Sequence, residues 1–181
     1  MKRTMTLSIV GILLISVFAV SYTNAKKLKE INIRKEVLID GSLDKVYNQV
    51  VYLKNFPNWS PFLEADPSQK YEVKGTDGQA GAQYHWEGNK GKDLGYQEIK
   101  EIRPKEYIRM ECDIQKPYEV NPVFEYSFKE VGGQTKVVQE FNMKSSKTDA
   151  FFMWVFGAKK DISRMNERGL ELLKEYVEKE N

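Results

Sequence analysis

The sequence predicts an α+β domain in which one long C-terminal helix lies across a curved antiparallel sheet. Residues 71–143 contain a series of segments in which apolar and polar side chains alternate, the period of half-buried strands. A stripe of apolar residues at helical spacing follows in residues 162–176. A run of strands followed by a helix is typical of α+β domains. Because a large sheet twists and coils, we expect the helix to leave an internal cavity beside it.

A strand and a short helix open the domain. Residues 31–39 alternate between apolar and mostly polar side chains, which predicts a first strand that ends before Gly41. Ser42 is a favourable N-cap and Asp44 lies in the first turn after it, so we expect a helix to begin here. The prolines in residues 57–61 end this region, because proline cannot continue a helix.

Six further strands are predicted between this proline corner and the final helix. They span residues 71–74, 83–87, 94–102, 107–114, 120–128 and 135–143. In the fourth and fifth of these strands every second side chain is apolar, and we expect those side chains to face inward. The inward residues are Ile108, Met110, Cys112, Ile114, Phe124, Tyr126 and Phe128.

The final helix is expected to cover a cavity on the inner face of the sheet. Its apolar stripe consists of Ile162, Met165, Gly169, Leu172, Leu173 and Tyr176. Gly169 adds no side-chain bulk in this stripe, and Trp59 and Trp86 are expected to close the ends of the space. We therefore expect a mostly apolar cavity of about 300 Å³ or more.

Composition and charge disfavour several classes of function. Cys112 is the single cysteine and His85 the single histidine, too few for a typical zinc site, so we expect no metal or other cofactor. The formal net charge of +2 includes five basic residues that precede Glu30. Without these five, 23 basic residues stand against 26 acidic ones, a net charge of −3 that disfavours nucleic-acid binding.

Residues 1–25 predict either a secretory signal peptide or an N-terminal membrane anchor. Two basic residues precede an almost entirely apolar run at residues 7–20, and residues 23–25 provide the small side chains of a cleavage site. Residues 4–25 are also about long enough to span a bilayer. The three lysines that follow disfavour export and leave a cytoplasmic-facing domain open. We expect an exported domain, periplasmic or secreted, or one anchored to a membrane by this segment.

Few side chains suggest catalysis. His85 is the natural general base because the unperturbed pKa of histidine lies near neutrality. The strand alternation, however, places it opposite Tyr84 and Trp86, toward solvent. Glu87 and Glu98 are the available carboxylate pair, for which ordinary surface charges are the simpler interpretation.

Inward-facing polar residues are better candidates for contact with a ligand. Tyr126 and Gln139 require hydrogen-bond partners if they are buried, so we expect them to orient a bound molecule. Cys112 is interpreted as a small core residue rather than a nucleophile. The aromatic stretch Phe151–Phe156, with Lys159 and Lys160 after it, has three open interpretations: a buried lead-in to the helix, a lid, or a membrane contact.

Several short motifs occur in order along residues 58–174. They are Asn58-Trp59-Ser60-Pro61-Phe62, Asp66-Pro67, Gly81, Trp86-Glu87-Gly88-Asn89, Gly95, Ile99, Ile102, Gly133-Gln134-Thr135-Lys136-Val137 and Gly169-Leu170-Glu171-Leu172-Leu173-Lys174. In these residues the chain resembles the START-like helix-grip (SRPBCC) superfamily, and within it the polyketide cyclase/dehydrase-like branch. The resemblance covers nearly the whole of residues 30–181. It implies a helix-grip fold, a curved antiparallel sheet wrapped around a long C-terminal helix.

The resemblance implies a cavity rather than one chemistry, since the superfamily ranges from lipid and hormone binders to cyclases. The leading hypothesis is a binding or carrier domain, without catalytic residues, for a small apolar or amphipathic molecule. A metal-independent cyclase/dehydrase-type enzyme and a membrane-held interaction module remain as alternatives. The expected ligand-binding residues are Trp59, Tyr84, Trp86, Met110, Cys112, Phe124, Tyr126, Gln139, Phe141, Phe152, Met165 and Gly169.

Overall fold

The computed structural model describes residues 30–117, 119–144 and 158–179. Within these ranges the chain forms one seven-stranded sheet and three α-helices. The strands are β1 (Glu30–Ile39), β2 (Lys70–Lys74), β3 (Gln83–Gly88), β4 (Asp93–Arg103), β5 (Tyr107–Lys116), β6 (Val123–Val131) and β7 (Gln134–Lys144). The helices are α1 (Leu43–Val51), α2 (Pro61–Ala65) and α3 (Ala158–Lys179), with 3-10 turns at Leu53–Asn58 and Asn89–Gly91.

The sheet is antiparallel throughout, in the order β1-β7-β6-β5-β4-β3-β2. β1 pairs with β7 over its whole length, from Glu30 opposite Lys144 to Ile39 opposite Thr135. The strands from β2 to β7 follow one another as a meander, and α3 lies across the inner face of the sheet. The predicted α+β fold, a curved antiparallel sheet with a long terminal helix, is confirmed.

The strand predicted at residues 120–128 begins later than expected. In the structure β6 begins at Val123, and Val120 forms an isolated bridge with Ile114. Pro122 separates the two, because proline has no N–H to donate to a strand ladder. Its carbonyl oxygen accepts a hydrogen bond from the Cys112 N–H at 2.8 Å, which keeps this segment against β5.

Serine caps fix the starts of the first two helices. The Ser42 hydroxyl accepts a hydrogen bond from the Lys45 N–H at 3.3 Å, as its position before α1 predicted. The Ser60 hydroxyl accepts one from the Leu63 N–H, also at 3.3 Å. Pro61 then occupies the first helical position of α2, where a missing N–H is tolerated. The proline corner is therefore a short helix rather than an irregular loop.

The two halves of α3 have different surroundings. The C-terminal half buries Leu170, Leu173 and Val177 in the main hydrophobic core. Gly41 permits close approach there, since a Cβ at this position would lie 2.6 Å from Val177. The N-terminal half, which includes Ile162, lies over open space on the inner face of the sheet. None of the described helices is long and apolar enough to span a membrane.

Candidate ligand-binding site

A cavity of about 530 Å³ lies between the inner face of the sheet and the N-terminal half of α3. Phe56 of the first 3-10 turn, with Pro61 and Phe62 of α2, lines another side. The volume exceeds the predicted minimum and lies within the range of small-molecule sites in proteins. Most of the lining side chains are apolar, so an apolar molecule can bury its own apolar surface against them.

Aromatic rings in mutual contact form much of the cavity wall. Phe56 meets Tyr84 and Trp59 edge-on, with centroid distances of 5.2 and 4.8 Å. Trp59 lies 6.4 Å from Tyr126, which stacks on Phe124 at 6.5 Å. Edge-to-face pairs of this kind each contribute about 0.5–1.5 kcal/mol beyond the burial of their area. The contacts support a wall that is preformed before any ligand enters.

The two tryptophans of the wall use their polar atoms within the protein. The Trp59 indole N–H donates to the main-chain carbonyl oxygen of Gln49 at 3.0 Å, and the Trp86 indole N–H donates to the Asp93 carboxylate at 3.0 Å. Gly95 makes room for Trp86, because a Cβ there would lie 2.6 Å from the indole ring. Both indoles therefore offer a ligand their apolar surfaces rather than a hydrogen bond.

A small number of polar residues also line the cavity. The Gln139 amide Nε2 donates to the Tyr126 hydroxyl at 2.8 Å, a buried pair that joins β7 to β6. The other amide atom, Gln139 Oε1, is buried without a hydrogen-bond partner. The Tyr84 hydroxyl and Asn166 Nδ2 are also buried and unpartnered, and both residues line the cavity. Three polar residues of the lining therefore each keep one buried atom without a hydrogen-bond partner.

Three titratable groups of the inner wall, the Cys112 thiol and the hydroxyls of Tyr84 and Tyr126, are neutral at physiological pH. Burial raises the pKa of the Cys112 thiol to about 12. Burial also raises the pKa of the Tyr84 and Tyr126 hydroxyls well above the ordinary value for tyrosine. The Gln139 hydrogen bond partly opposes this effect at Tyr126. All three groups keep their protons, so they present hydrogen-bonding or apolar atoms rather than charges.

Ten of the twelve residues predicted to bind ligand line this cavity. They are Trp59, Tyr84, Trp86, Cys112, Phe124, Tyr126, Gln139, Phe141, Met165 and Gly169. Their contact with a ligand stays a prediction. Phe152, with the rest of the aromatic stretch Phe151–Phe156 and the N-terminal residues 1–25, lies outside the described residues.

Met110 is the one described residue of the twelve that does not line the cavity. Met110 is buried in the main core, as are Ile108 and Phe128, which were also expected to face the cavity. The strand alternation correctly placed all three on the inner side. Tyr47 of α1 meets Phe128 edge-on at 5.4 Å, so α1 and its core neighbours fill the space on this part of the sheet.

Other lining residues were not singled out from the sequence. Phe56 and Phe62 belong to the aromatic-proline corner, and that composition was the available signal for them. Gln97 lies on a strand whose inward side was ambiguous in the sequence. Asn166 is a polar residue beside the apolar stripe of α3, and no sequence signal distinguished it from a solvent-facing residue.

His85 lies on the opposite face of the sheet from the cavity, as predicted. Its Nε2 is 2.9 Å from Gln83 Oε1, and its ring stacks on Tyr96 at 5.1 Å. Partial burial lowers the pKa of His85, and the nearby Lys74 ammonium lowers it further, while Glu72 opposes the shift. The imidazole is thus neutral at pH 7 but too remote to act on a molecule in the cavity.

The carboxylates considered for catalysis are surface groups. Glu98 accepts hydrogen bonds from Lys100 at 2.7 Å and from Gln83 at 3.0 Å, which lower the pKa of its carboxyl group. Glu87 is exposed on the edge of β3. Across residues 30–117, 119–144 and 158–179, no group of three or more His, Cys, Asp and Glu side chains is arranged to bind a metal.

The short helix α2 forms one rim of the cavity and is joined to α3 by an ion pair. The Arg168 guanidinium donates two hydrogen bonds to the Glu64 carboxylate, at 2.7 and 2.9 Å. This pairing lowers the pKa of Glu64. Pro61 contacts α3 directly, since a Cβ at Gly169 would lie 3.5 Å from its ring. Phe62 is 43% exposed at this rim, which leaves an apolar surface where the cavity meets solvent.

The family is established by a match over almost all of the described chain. Residues 30–178 match the family model described as polyketide cyclase / dehydrase and lipid transport. The chain belongs to the polyketide cyclase/dehydrase and lipid transport family. Membership of this family agrees with the helix-grip fold and the internal cavity. No curated protein sequence matches the chain.

Solved structures of the same superfamily share the fold of this polyketide cyclase/dehydrase and lipid transport family member at low sequence identity. Ara h 8.0201 is 13% identical over 82% of this chain and 97% of its own, with a TM-score of 0.60. A protein from Nitrosospira multiformis is 19% identical over 81% and 95% of the two chains, with a TM-score of 0.58. CalU16 from Micromonospora echinospora is 18% identical over 82% and 75%, with a TM-score of 0.51. At such identities the likeness indicates the fold alone.

Proposed function

We propose that the domain binds and carries a small apolar or amphipathic molecule in the internal cavity. The observation that supports this most directly is the size of the cavity, about 530 Å³, together with its apolar lining. A packed core leaves few voids larger than a water molecule. An apolar space of this size is instead typical of a ligand site.

The test is binding of the neutral fluorescent probe N-phenyl-1-naphthylamine to the wild-type protein and to Gly169→Leu. Because Gly169 lines the cavity and a Cβ there has ordinary contacts, leucine fits the helix but fills the ligand space. Replacing glycine within a helix also adds about 0.5–1 kcal/mol of helix propensity. We expect Gly169→Leu to fold with at least wild-type stability and to bind the probe at least tenfold more weakly.

Lys160→Leu is the matched control, since it adds a leucine to the exposed side of the same helix. It should leave the affinity for the probe unchanged. A wild-type protein that binds no probe, or a Gly169→Leu protein that is destabilised without losing affinity, would mean that the space is part of the core. The carrier proposal would then be wrong.

An enzyme of the cyclase/dehydrase type is the alternative that the family description leaves open. The described geometry gives it less support, because His85 lies on the far face of the sheet and Cys112, Tyr84 and Tyr126 are held protonated.

For location, we propose that residues 1–25 direct the domain out of the cytoplasm, either as a cleaved signal peptide or as an anchor. This rests on the basic start, the apolar run and the small residues after it.

A further inference from the structure

Three residues that line the mostly apolar cavity each have one buried, unpartnered polar atom: the Tyr84 hydroxyl, Gln139 Oε1 and Asn166 Nδ2. Their residues are only 1%, 4% and 6% exposed, so bulk solvent does not satisfy these atoms. Buried polar atoms without a partner are rare in folded proteins and destabilise them. Three of them around one cavity indicate that the missing partners belong to the molecule that occupies it.

The donor or acceptor character of each atom determines which hydrogen-bonding group a ligand must supply to it. Gln139 donates its Nε2 to Tyr126, which leaves Oε1 as an acceptor that needs a donor from the ligand. Asn166 Nδ2 is a donor that needs an acceptor, and the Tyr84 hydroxyl serves in either role. Hydroxyl and carbonyl groups of a ligand satisfy this set. A pure hydrocarbon leaves it unsatisfied.

The charges around the cavity disfavour anions. Among the described lining residues there is no Lys, Arg or His, and the acidic ones are Asp93 and Asp161, of which Asp161 pairs with Arg164. A carboxylate placed inside would have no cationic partner among the described lining residues and would lie among apolar rings. Burial of an unpaired charge is strongly unfavourable, and the Asp93 carboxylate of the lining adds repulsion.

The polar atoms occupy separate parts of the wall. Tyr84 is on β3, whereas Gln139 and Tyr126 are on β7 and β6, across the intervening strands β4 and β5. The rings of Phe56 and Trp59 lie between Tyr84 and Tyr126. A molecule that reaches both positions therefore has an apolar middle and a polar group toward each end.

From this arrangement, and resting on the proposed binding function, we infer that the cavity selects uncharged ligands that carry hydroxyl or carbonyl groups at both ends of an apolar body and rejects carboxylates. Fatty-acid anions are then poor ligands, although they are apolar enough for the cavity. Selection comes from the unpartnered atoms of Tyr84 and Gln139 and from the absence of a described cation in the wall.

The test measures displacement of N-phenyl-1-naphthylamine from the full-length protein by 1,10-decanediol and by 10-hydroxydecanoate at pH 8. The two compounds have the same chain length and differ at one end, a hydroxyl group against a carboxylate. We expect the diol to bind at least tenfold more tightly. Tyr84→Phe and Gln139→Met should each weaken diol binding about threefold to tenfold, since each removes one hydrogen bond to the ligand.

Tyr71→Phe is the matched control for Tyr84→Phe. Tyr71 stacks on Tyr84 at 5.5 Å but is 50% exposed and does not line the cavity, so loss of its hydroxyl should leave diol affinity unchanged. Tyr84→Phe should melt at the wild-type temperature or above, because the unpartnered hydroxyl is removed.

The outcomes separate the inference from the proposal on which it rests. A wild-type protein that binds no probe overturns the carrier function itself. Probe binding with equal affinity for diol and hydroxy acid overturns only the selection against anions. Preference for the diol with no effect of Tyr84→Phe and Gln139→Met means that water satisfies the polar atoms, and the inference is again wrong.

Discussion

Cys112 and Met110 lie two residues apart on β5 and face the same side of the sheet, yet their surroundings differ. Met110 is packed in the main core, whereas Cys112 lines the cavity. The thiol is nevertheless shielded from water, and this burial raises its pKa to about 12. Burial is the cause of this shift, so burial limits the reactivity of the thiol at neutral pH.

The raised pKa predicts slow alkylation of Cys112. The thiolate is the reactive form, and at pH 8 only a small fraction of Cys112 is ionised. We therefore expect iodoacetamide to modify the folded protein at least about a hundredfold more slowly than a free cysteine. The rate should rise with pH up to about 12 while the protein stays folded. Mass spectrometry gives the rate directly, because the chain contains one cysteine.

A bound probe provides the control for this measurement. Saturation with N-phenyl-1-naphthylamine should slow the modification further, because the thiol lines the space that the probe fills. A rate equal to that of a free thiol, with or without probe, would contradict the environment described for Cys112.

At the scale of single elements, the two halves of α3 have different roles: the C-terminal half packs in the core, and the N-terminal half lines the cavity. Leu173 is fully buried in the core, while Met165 lies about two turns earlier and lines the cavity. The same type of substitution should therefore have different effects in the two halves. In the C-terminal half it leaves a void among packed side chains, and in the N-terminal half it enlarges a space that already exists.

Leu173→Ala should lower the free energy of unfolding by about 2–5 kcal/mol, the usual effect of a cavity created in a core. Met165→Ala should lower it by less than about 1 kcal/mol, because its side chain borders open space. Urea denaturation of both variants measures the difference. Equal losses would show that the N-terminal half of α3 is as tightly packed as the rest.

The predictability of the elements differs from strand to strand. The period of two in β5 and β6 gave the inward side directly, since each inward residue there follows the simple alternation. In β4 the sequence was ambiguous because the pairing with β5 shifts register between Leu94 and Gly95 and again between Ile99 and Glu101. Such bulges displace the alternation by one residue, and the sequence did not indicate where they occur.

The contact between α2 and α3 predicts a kinetic effect. Arg168→Met removes the two hydrogen bonds to Glu64 but keeps an apolar stem, so the rim of the cavity becomes easier to displace. We expect N-phenyl-1-naphthylamine to dissociate several-fold faster in stopped-flow experiments, with a small change in stability because both groups are exposed to solvent.

Arg164→Met is the matched control for this variant. Arg164 pairs with Asp161 within α3 and does not connect two elements. Its loss should leave the dissociation rate of the probe unchanged. Equal acceleration in both variants would point to the charge of α3 rather than to the attachment of α2.

At the scale of the whole molecule, the order of elements was predictable but the position of the cavity was only partly so. The alternation and the terminal helix indicated the α+β class, and the motifs of residues 58–174 indicated the superfamily. Which part of the inner face stays open depends on α1, whose Tyr47 packs against Phe128. That contact joins residues far apart in the chain, so no local pattern encodes it.

The N-terminal segment gives a prediction about the molecule as it is produced. If residues 1–25 are a cleaved signal peptide, the mature protein begins at Lys26, after the small residues Thr23 and Ala25. Intact mass spectrometry of soluble and membrane fractions distinguishes the two forms that we propose. Full-length protein found in the membrane alone would exclude cleavage and leave the anchor.

The hydrogen bonds of the two wall tryptophans have an optical consequence. Indole emission depends on the polarity around the ring and on the bond that its N–H makes. In Trp59 and Trp86 that bond is made within the protein, to the main-chain carbonyl of Gln49 and to the Asp93 carboxylate. A change in emission from these two residues therefore reports what lies against the ring faces. Trp154 is the third tryptophan of the sequence. In a Trp154→Phe variant the remaining tryptophan fluorescence would report ligand binding in the cavity without an added dye.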